Sequence, residues 1–492
     1  MLLSYLDLAI IAVYLIIIFY SGYKMKKYVT GIGDHLVAGR SMGYHLGLLS
    51  MMCTEIGMIT YVYYAEMGYK AGFVALVAAF PIALAFIFVG KTGFIIKKLH
   101  AMKIMTVPEF FSVTFSKGVR LYIGILMAVG GILNFGVFPG VEATFINNMT
   151  GIPREYILIT MVVMLVMVLL YTLFGGMVSV ILTNYLQYGL LSFGMVFITV
   201  YGIYVIGWGN IIDTVTTNFG EKGLNPFFPS GTQGEFGIGF IVWQFLFYVA
   251  FIVGWQAVSM RLFSSKDSKT GQRIYTWSGL MFLARGVLPV FWGIMALAYL
   301  GSDVNSLEAL SLMLTKILPG GILGLIMAGL LAASMSTYAS YLLSWSSILA
   351  QDVIDTIIKM ITGKELSSKT QLYINRGTMV VVTLFIIWWS LFHEIEGYLY
   401  FYLNMTGMIF IPGTLACLVG GIYWKKSNKV GAYTAITLGL FPPILYLLMP
   451  EPFKTTYAST LGWGGFLLAF LGMIIGSWFK NVFSPQTIKI EK

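Results

Sequence analysis

Charge is scarce in this chain. Only 10% of its residues are Asp, Glu, Lys or Arg, against about 25% in an ordinary soluble domain, while 58% are hydrophobic and the mean hydropathy is +0.85. Such a composition cannot cover a water-soluble globule with polar surface. Cysteine is almost absent: Cys53 and Cys417 both fall in apolar segments, so no disulfide framework is implied and the redox compartment stays unread. The four histidines, His35, His45, His100 and His393, are far apart and none has metal-ligand spacing. The larger loops, about 208–237 and 351–375, hold no His/Cys/Asp cluster and no nucleophile–base pair, which disfavours an enzyme. No continuous pore motif suggests a channel. Lys and Arg are scattered through short loops beside no RNA- or DNA-binding motif, so nucleic acid is not expected as a partner.

What the chain has in abundance is apolar length. Runs of about 20 residues, enough to cross roughly 30 Å of hydrocarbon, recur from end to end. They give about thirteen candidate spans, centred near residues 15, 57, 83, 133, 165, 192, 248, 285, 335, 385, 410, 440 and 468. The run "YLDLAIIAVYLIIIFYSGYKMKK" at 5–27 is too long for a signal-peptide core and carries its basic cluster on the wrong side, so it reads as a retained first span. With the N-terminus outside, the inner loops collect most of the basic residues, among them Lys24, Arg40, Lys97, Lys103, Arg261, Lys266, Arg376, Lys425, Lys489 and Lys492. The outer loops keep only Lys70, Arg154, Lys222, Lys316 and Lys454. The positive-inside rule therefore predicts a multi-pass cell-membrane protein in the lipid bilayer, N-terminus out and C-terminus cytoplasmic.

Three stretches break the rules of a lipid-facing helix. In "AGRSMGYHLGLLSMMCTEIGMITYVYYAEMGYKAG", 38–72, Glu55 sits mid-span; a carboxylate there marks an ion or substrate path unless it is neutral and bonded to a neighbouring helix. In "YTLFGGMVSVILTNYLQYGLLSFG", 171–194, a Gly-Gly turn joins two spans. Thr183, Asn184 and Gln187 follow it, either lining a cavity or bonding helix to helix. In "GLLAASMSTYASYLLSWSS", 329–347, the spacing of Ala333, Ser336, Thr337, Ser340, Ser344 and Ser347 gathers them on one helical stripe. Small residues let helices approach closely, and hydroxyl oxygens replace water around a small hard cation. Two adjacent hydroxyls do not complete such a shell, so the remaining oxygens must be carbonyls of a helix that unwinds at mid-membrane.

These residues carry a resemblance. "AGRSMG", "TVPEFF" at 106–111 with "GVR" at 118–120, "YTLFGGMVSVILTNYLQ", "LLAASMST" followed by "QDV", and "GGIYWKKSNKVGA" at 420–432 stand in the order and spacing of the sodium:solute symporter family. That group includes bacterial sodium/galactose, sodium/proline and sodium/sialic acid transporters, and the similarity runs over about residues 5–430. It implies an all-α integral membrane protein with a leucine-transporter-type 5+5 inverted-repeat core. On that pattern 1–44 is an extra helix and first inner loop, 45–207 the first repeat, 208–237 an extracellular loop, 238–424 the second repeat, and 425–492 two further helices with a short inner tail. No repeat is visible in the sequence itself.

The resemblance places a Na⁺ site at the carbonyls of Cys53, Ile56 and Ala333 and the hydroxyls of Ser336 and Thr337. Ser340, Ser344 and Ser347 then line the inward path or pack closely. In much of the family an Asp stands where this chain has Asn184, and members thought to bind a second sodium have Ser where this chain has Ala333; one Na⁺ per solute is expected. Solute is placed among Glu55, Thr60, Trp243, Phe251, Trp255, Gln256, Arg285 and Asn404. Arg285 stands four residues before Pro289, where the galactose transporter has a sugar-contacting Lys. Arg suits a carboxylate, which it grips through two parallel hydrogen bonds, and Glu55 is its candidate partner, as a latch or as a permanent brace. Phe251 replaces a gating Tyr and Thr60 a longer amide, leaving sugar hydroxyls unpaired. The expectation is a sodium-coupled secondary active symporter, not an enzyme, importing a small carboxylate or amino-acid-like zwitterion as a monomer or weak oligomer. The alternatives are a sugar symporter, or a proton-coupled or uncoupled transporter of the same fold.

Overall fold

The computed structural model describes residues 3–28, 31–227, 236–393, 395 and 397–483. The inner tail with Lys489 and Lys492, and 228–235 of the expected outer loop, lie outside them.

The apolar runs form helices throughout. In chain order the long ones are α1 (Tyr5–Met25), α2 (Tyr44–Glu55), α3 (Met58–Ala71), α4 (Ala79–Thr92), α5 (Lys117–Gly136), α6 (Phe138–Thr150), α7 (Ile157–Ile206) and α8 (Ile238–Gly254). They continue with α9 (Gln256–Ser264), α10 (Ser268–Leu300), α11 (Ile322–Ser347), α12 (Ser368–Phe392), α13 (Leu399–Met408), α14 (Ile411–Tyr423), α15 (Lys429–Leu448) and α16 (Phe453–Phe483). Polar residues at the helix starts satisfy the orphan N–H groups. Asn428 of "KKSNKVGA" accepts from Val430 and Gly431, and Asp267 accepts from Thr270, a bond that holds its carboxyl below the usual range.

Each expected span centre falls in a helix or at a helix break. Among the described residues nine helices are long and apolar enough to cross a membrane, or eleven if each of two bent pairs is one span. The thirteen of the sequence reading are not reached by that measure. The apolar part of α1 is short, and the interruption after α2 leaves Met58–Thr92 to count as one span. The Gly-Gly turn is where α7 divides into two spans, Arg154–Leu173 and Gln187–Ile206: at Gly176 (φ 50°, ψ −144°) the backbone leaves helical geometry, at a positive φ where a Cβ would strike the His35 ring.

Glycine also lets α3 and α10 touch backbone to backbone. A Cβ on Gly68 would run into the Val290 carbonyl, and one on Gly293 into the Ala65 carbonyl. Small-residue contact of this kind brings membrane helices together where no hydrophobic drive exists between them. Within α3, Glu66 pairs with Lys70 at 2.6 Å and accepts from the Leu399 N–H at 3.0 Å, tying α3 to the start of α13. Three of the short motifs meet at one buried point. Asp352, in a π-helical turn at Ile348–Ile354, takes Arg120 at 2.8 Å and Thr106 at 2.9 Å.

Candidate functional site

Three breaks build the site. The chain leaves helical geometry at Ile56 (φ −110°, ψ 77°) and Gly57 (ψ 167°), between α2 and α3. The pair α8 and α9 bends by 49° around Trp255, and α13 and α14 by 42° around Ile409 and Phe410. Unwound backbone at membrane depth must find partners within the protein. At the first break the carbonyls at the end of α2 find side-chain hydroxyls. Ser336 donates to the Cys53 carbonyl at 2.7 Å, Thr337 to the Thr54 carbonyl at 3.1 Å, and Thr60 to the Glu55 carbonyl at 3.3 Å. Gly57 makes this approach possible, since a Cβ there would lie 2.6 Å from the Thr337 hydroxyl oxygen.

Ser336 Oγ also lies 2.8 Å from the Ala333 carbonyl. Cys53, Ala333, Ser336 and Thr337 are thus brought to one buried spot between α11 and the break, and Ile56 is buried in the break itself. Further along the stripe, Ser340, Ser344 and Ser347 bond back onto carbonyls of their own helix and are buried, an arrangement of close packing. Asn184 donates to the Ser50 hydroxyl at 3.2 Å, and Gln187 to Tyr14 at 3.0 Å, so both bond helix to helix.

Beside the break lies a cavity of about 60 Å³. Of the residues expected to meet solute, Glu55, Thr60, Phe251, Trp255, Arg285 and Asn404 line it. Two do not, which corrects their expected placement. Trp243 is buried against Phe240 and Phe401, and Gln256 spends both ends of its amide on the loop before "VPEFF", at Val107 N and Met105 O. The expected Glu55–Arg285 ion pair is also absent among the described residues. Glu55 Oε1 is buried without a partner, and so are Arg285 Nε and Nη1, while Arg285 Nη2 donates to the Tyr63 hydroxyl at 2.9 Å. The latch and the brace both needed that contact; instead the two charges face one cavity separately.

Several lining residues went unread in the sequence: Tyr63, Tyr248, Tyr341 and Tyr400 are aromatic like many other buried positions of the chain and carry no pattern of their own. Glu142 was readable by the rule applied to Glu55, as a carboxylate inside an apolar run. It is buried, accepts the Ile59 N–H at 2.9 Å and takes the Ser334 hydroxyl, which seats the start of α3. Arg261 was placed in an inner loop by its sequence neighbours, yet it is fully buried in α9 beside the break.

Comparison with known proteins bears on this geometry. A model of the sodium:solute symporter family matches residues 35–439. The sodium/glucose cotransporter of Vibrio parahaemolyticus is 24% identical over 488 residues, spanning 91% of this chain and 87% of that protein. Sodium/glucose cotransporter 1 of Oryctolagus cuniculus is 23% identical over 488 residues, spanning 88% and 70%. A solved Na⁺-coupled sialic acid symporter, in a substrate-bound outward-open state, superposes with a TM-score of 0.81 at 17% identity over 99% of this chain and 100% of that one. Inward-facing Mhp1 gives a TM-score of 0.57 at 14% identity over 92% and 95%. At these identities the structural likeness speaks for the fold, which is that of the leucine-transporter type.

Proposed function

The chain belongs to the sodium:solute symporter family and is a sodium-coupled symporter, and from that premise we propose that its solute is a small zwitterion held between Arg285 and Glu55. The observation that carries this reading is the pair of unpartnered groups of opposite sign in one small cavity. A buried charge without a partner costs several kcal/mol, so each invites a complementary group. Arg285 offers Nε and Nη1 to a carboxylate, and Glu55 offers Oε1 to an ammonium. Part of the wall is aromatic, with Phe138, Phe247, Phe251 and Trp255, and hydroxyls and amides of Thr60, Tyr63, Asn134, Tyr248 and Asn404 line the rest, so it is the two opposite charges that favour a zwitterion over a neutral sugar.

Sodium is proposed to bind at the carbonyls of Cys53, Ile56 and Ala333 with the Ser336 and Thr337 hydroxyls, and to move one ion per solute. Inward transport across the cell membrane with the N-terminus outside is supported by the basic residues of alternate loops. Repeats at 45–207 and 238–424 are supported by a broken helix opening each of them.

Each hydroxyl supplies one of about five oxygens to a hard cation. Ser336→Ala and Thr337→Ala are therefore expected to raise the half-saturating Na⁺ by about fivefold or more, at unchanged expression. An unmoved midpoint in both variants removes the ion from this spot. The solute class is tested by thermal shift with a panel of amino acids, simple carboxylates and sugars. Glu55→Gln is expected to weaken an amino acid at least tenfold while leaving a carboxylate that lacks an amine within about threefold, since only the former loses a charge-assisted bond. Stabilisation of the native chain by neutral sugars alone would overturn the zwitterion and favour a sugar.

A further inference from the structure

Arg261 is a full positive charge held beside the oxygens just assigned to sodium. Its guanidinium donates from Nη2 to the Thr54 hydroxyl and, at 2.7 Å, to the Ser340 hydroxyl; from Nη1 to the Ala257 carbonyl at 2.8 Å; and from Nε to the Ser50 hydroxyl at 3.3 Å. Every one of these acceptors is neutral. Among the described residues no carboxylate stands within 4.0 Å of it. The nearest groups of the opposite helices are the hydroxyls of α2 and α11, and Glu55 lines the solute cavity, out of ion-pair contact with the guanidinium though its charge acts on it.

The contacts place that charge one residue from the ion's own ligands. Thr54, which takes Nη2 on its hydroxyl, takes Thr337 on its carbonyl, and Ser340, the other Nη2 acceptor, donates to the Ser336 carbonyl at 2.9 Å. Ser50, on the third side, is shared with Asn184, whose amide Nδ2 donates to it at 3.2 Å and whose Oδ1 is buried without a partner. In a family member with Asp at this position the carboxylate would face the guanidinium across Ser50. Here an amide stands there, so among the described residues no carboxylate contacts Arg261, and Glu55 acts on its charge only from a distance.

We propose that Arg261 is the resident cation of the ion site: it occupies electrostatically the place of a second sodium and weakens the first, so that one ion binds and leaves readily. A like charge so close weakens cation binding by on the order of tenfold to a hundredfold at the effective dielectric of a protein interior. The role is one of charge, and that separates it from a mere brace between α9, α2 and α11.

The test needs no knowledge of the solute. The purified full chain is titrated with NaCl against choline chloride at constant ionic strength, and the Na⁺ midpoint is read from thermal stabilisation. Arg261→Gln removes the charge and keeps a hydrogen-bonding head; Asn184→Asp keeps Arg261 and supplies the missing anion; Arg261→Lys keeps the charge. The first two are expected to lower the Na⁺ midpoint at least fivefold at a Hill slope near one, and the third to stay within threefold of the native chain. A brace would instead show unchanged or weaker Na⁺ binding in Arg261→Gln, and that result overturns the proposal. Tightening in Arg261→Lys equal to that in Arg261→Gln does so as well, as does a native chain that Na⁺ stabilises no more than choline. Where Arg261→Gln does not yield folded protein, Asn184→Asp decides alone. Fivefold tightening at a slope near one supports the resident cation, and no tightening, or a slope near two, overturns it.

Discussion

Arg285→Ala is expected to abolish solute uptake, at least 100-fold below the native chain, while the Na⁺ midpoint for thermal stabilisation stays within about twofold. The separation of the two readouts follows from contact: Thr337 borders the solute cavity as well, but Arg285 makes no hydrogen bond to any residue assigned to sodium among the described residues. Arg285 is on α10, against the solute cavity, and the oxygens assigned to sodium are on α11 and at the break between α2 and α3. A carboxylate brought to this depth sheds its water, and only a fixed positive charge with matching hydrogen bonds compensates that loss. Tyr63 holds one edge of the guanidinium at 2.9 Å, and the Phe282 ring lies 5.4 Å from its centre, which leaves Nε and Nη1 free in a set direction. Arg285→Lys keeps a point charge and loses the planar two-bond grip, so uptake should fall about tenfold and persist. Radiolabelled uptake into proteoliposomes checks both variants. Full transport by Arg285→Ala would free the solute site from this residue.

The helix inventory was legible because lipid imposes it: backbone groups with no water to bond must pair within a helix, and apolar length alone reveals the spans. Glu55 and Arg285 were legible for the same reason, as charges where charge is costly. Their separation was not. Whether two side chains on α2 and α10 meet or face a shared space depends on a few degrees of bend at Ile56 and on the hydroxyl of Tyr63, and neither is written in spacing. Trp243 and Gln256 show the converse. Both stand on the bent pair α8 and α9, as solute contacts on a broken helix should, but the bend turns Gln256 toward Val107 and leaves Trp243 packed on Phe401. Arg261 misled for an electrostatic reason. Loop counting treats every Lys and Arg near a span end as solvated, and this one lies four residues past the carbonyl of Ala257, inside the molecule.

Glu142→Leu is expected to lower folding stability by about 3 kcal/mol, the cost of stranding a buried backbone donor together with the side chain that replaced a charge-assisted acceptor. Helix α3 begins in mid-molecule: the Thr60 N–H bonds the Gly57 carbonyl at 3.0 Å, whereas the Ile59 N–H depends on a side chain from another helix. Glu142, reaching from α6, accepts the Ile59 N–H at 2.9 Å and so puts an anion at the positive end of α3. Its other oxygen takes the hydroxyl of Ser334, which is on α11 two residues before Ser336. One carboxylate therefore ties the break to the helix that carries the hydroxyl stripe. Leucine fills the space but accepts nothing; Ser334 can turn its hydroxyl to a carbonyl of its own helix, whereas the Ile59 N–H cannot turn. Glu142→Gln keeps an acceptor for Ile59 and should cost about 1 kcal/mol, with the Na⁺ midpoint close to native. Denaturant unfolding of the two variants in detergent reads the difference. Equal stability of Glu142→Leu and the native chain would mean that the start of α3 is held by something other than this carboxylate. A Glu142→Gln variant that is stable yet no longer stabilised by Na⁺ would move Glu142 from the scaffold of the break into the ion site itself.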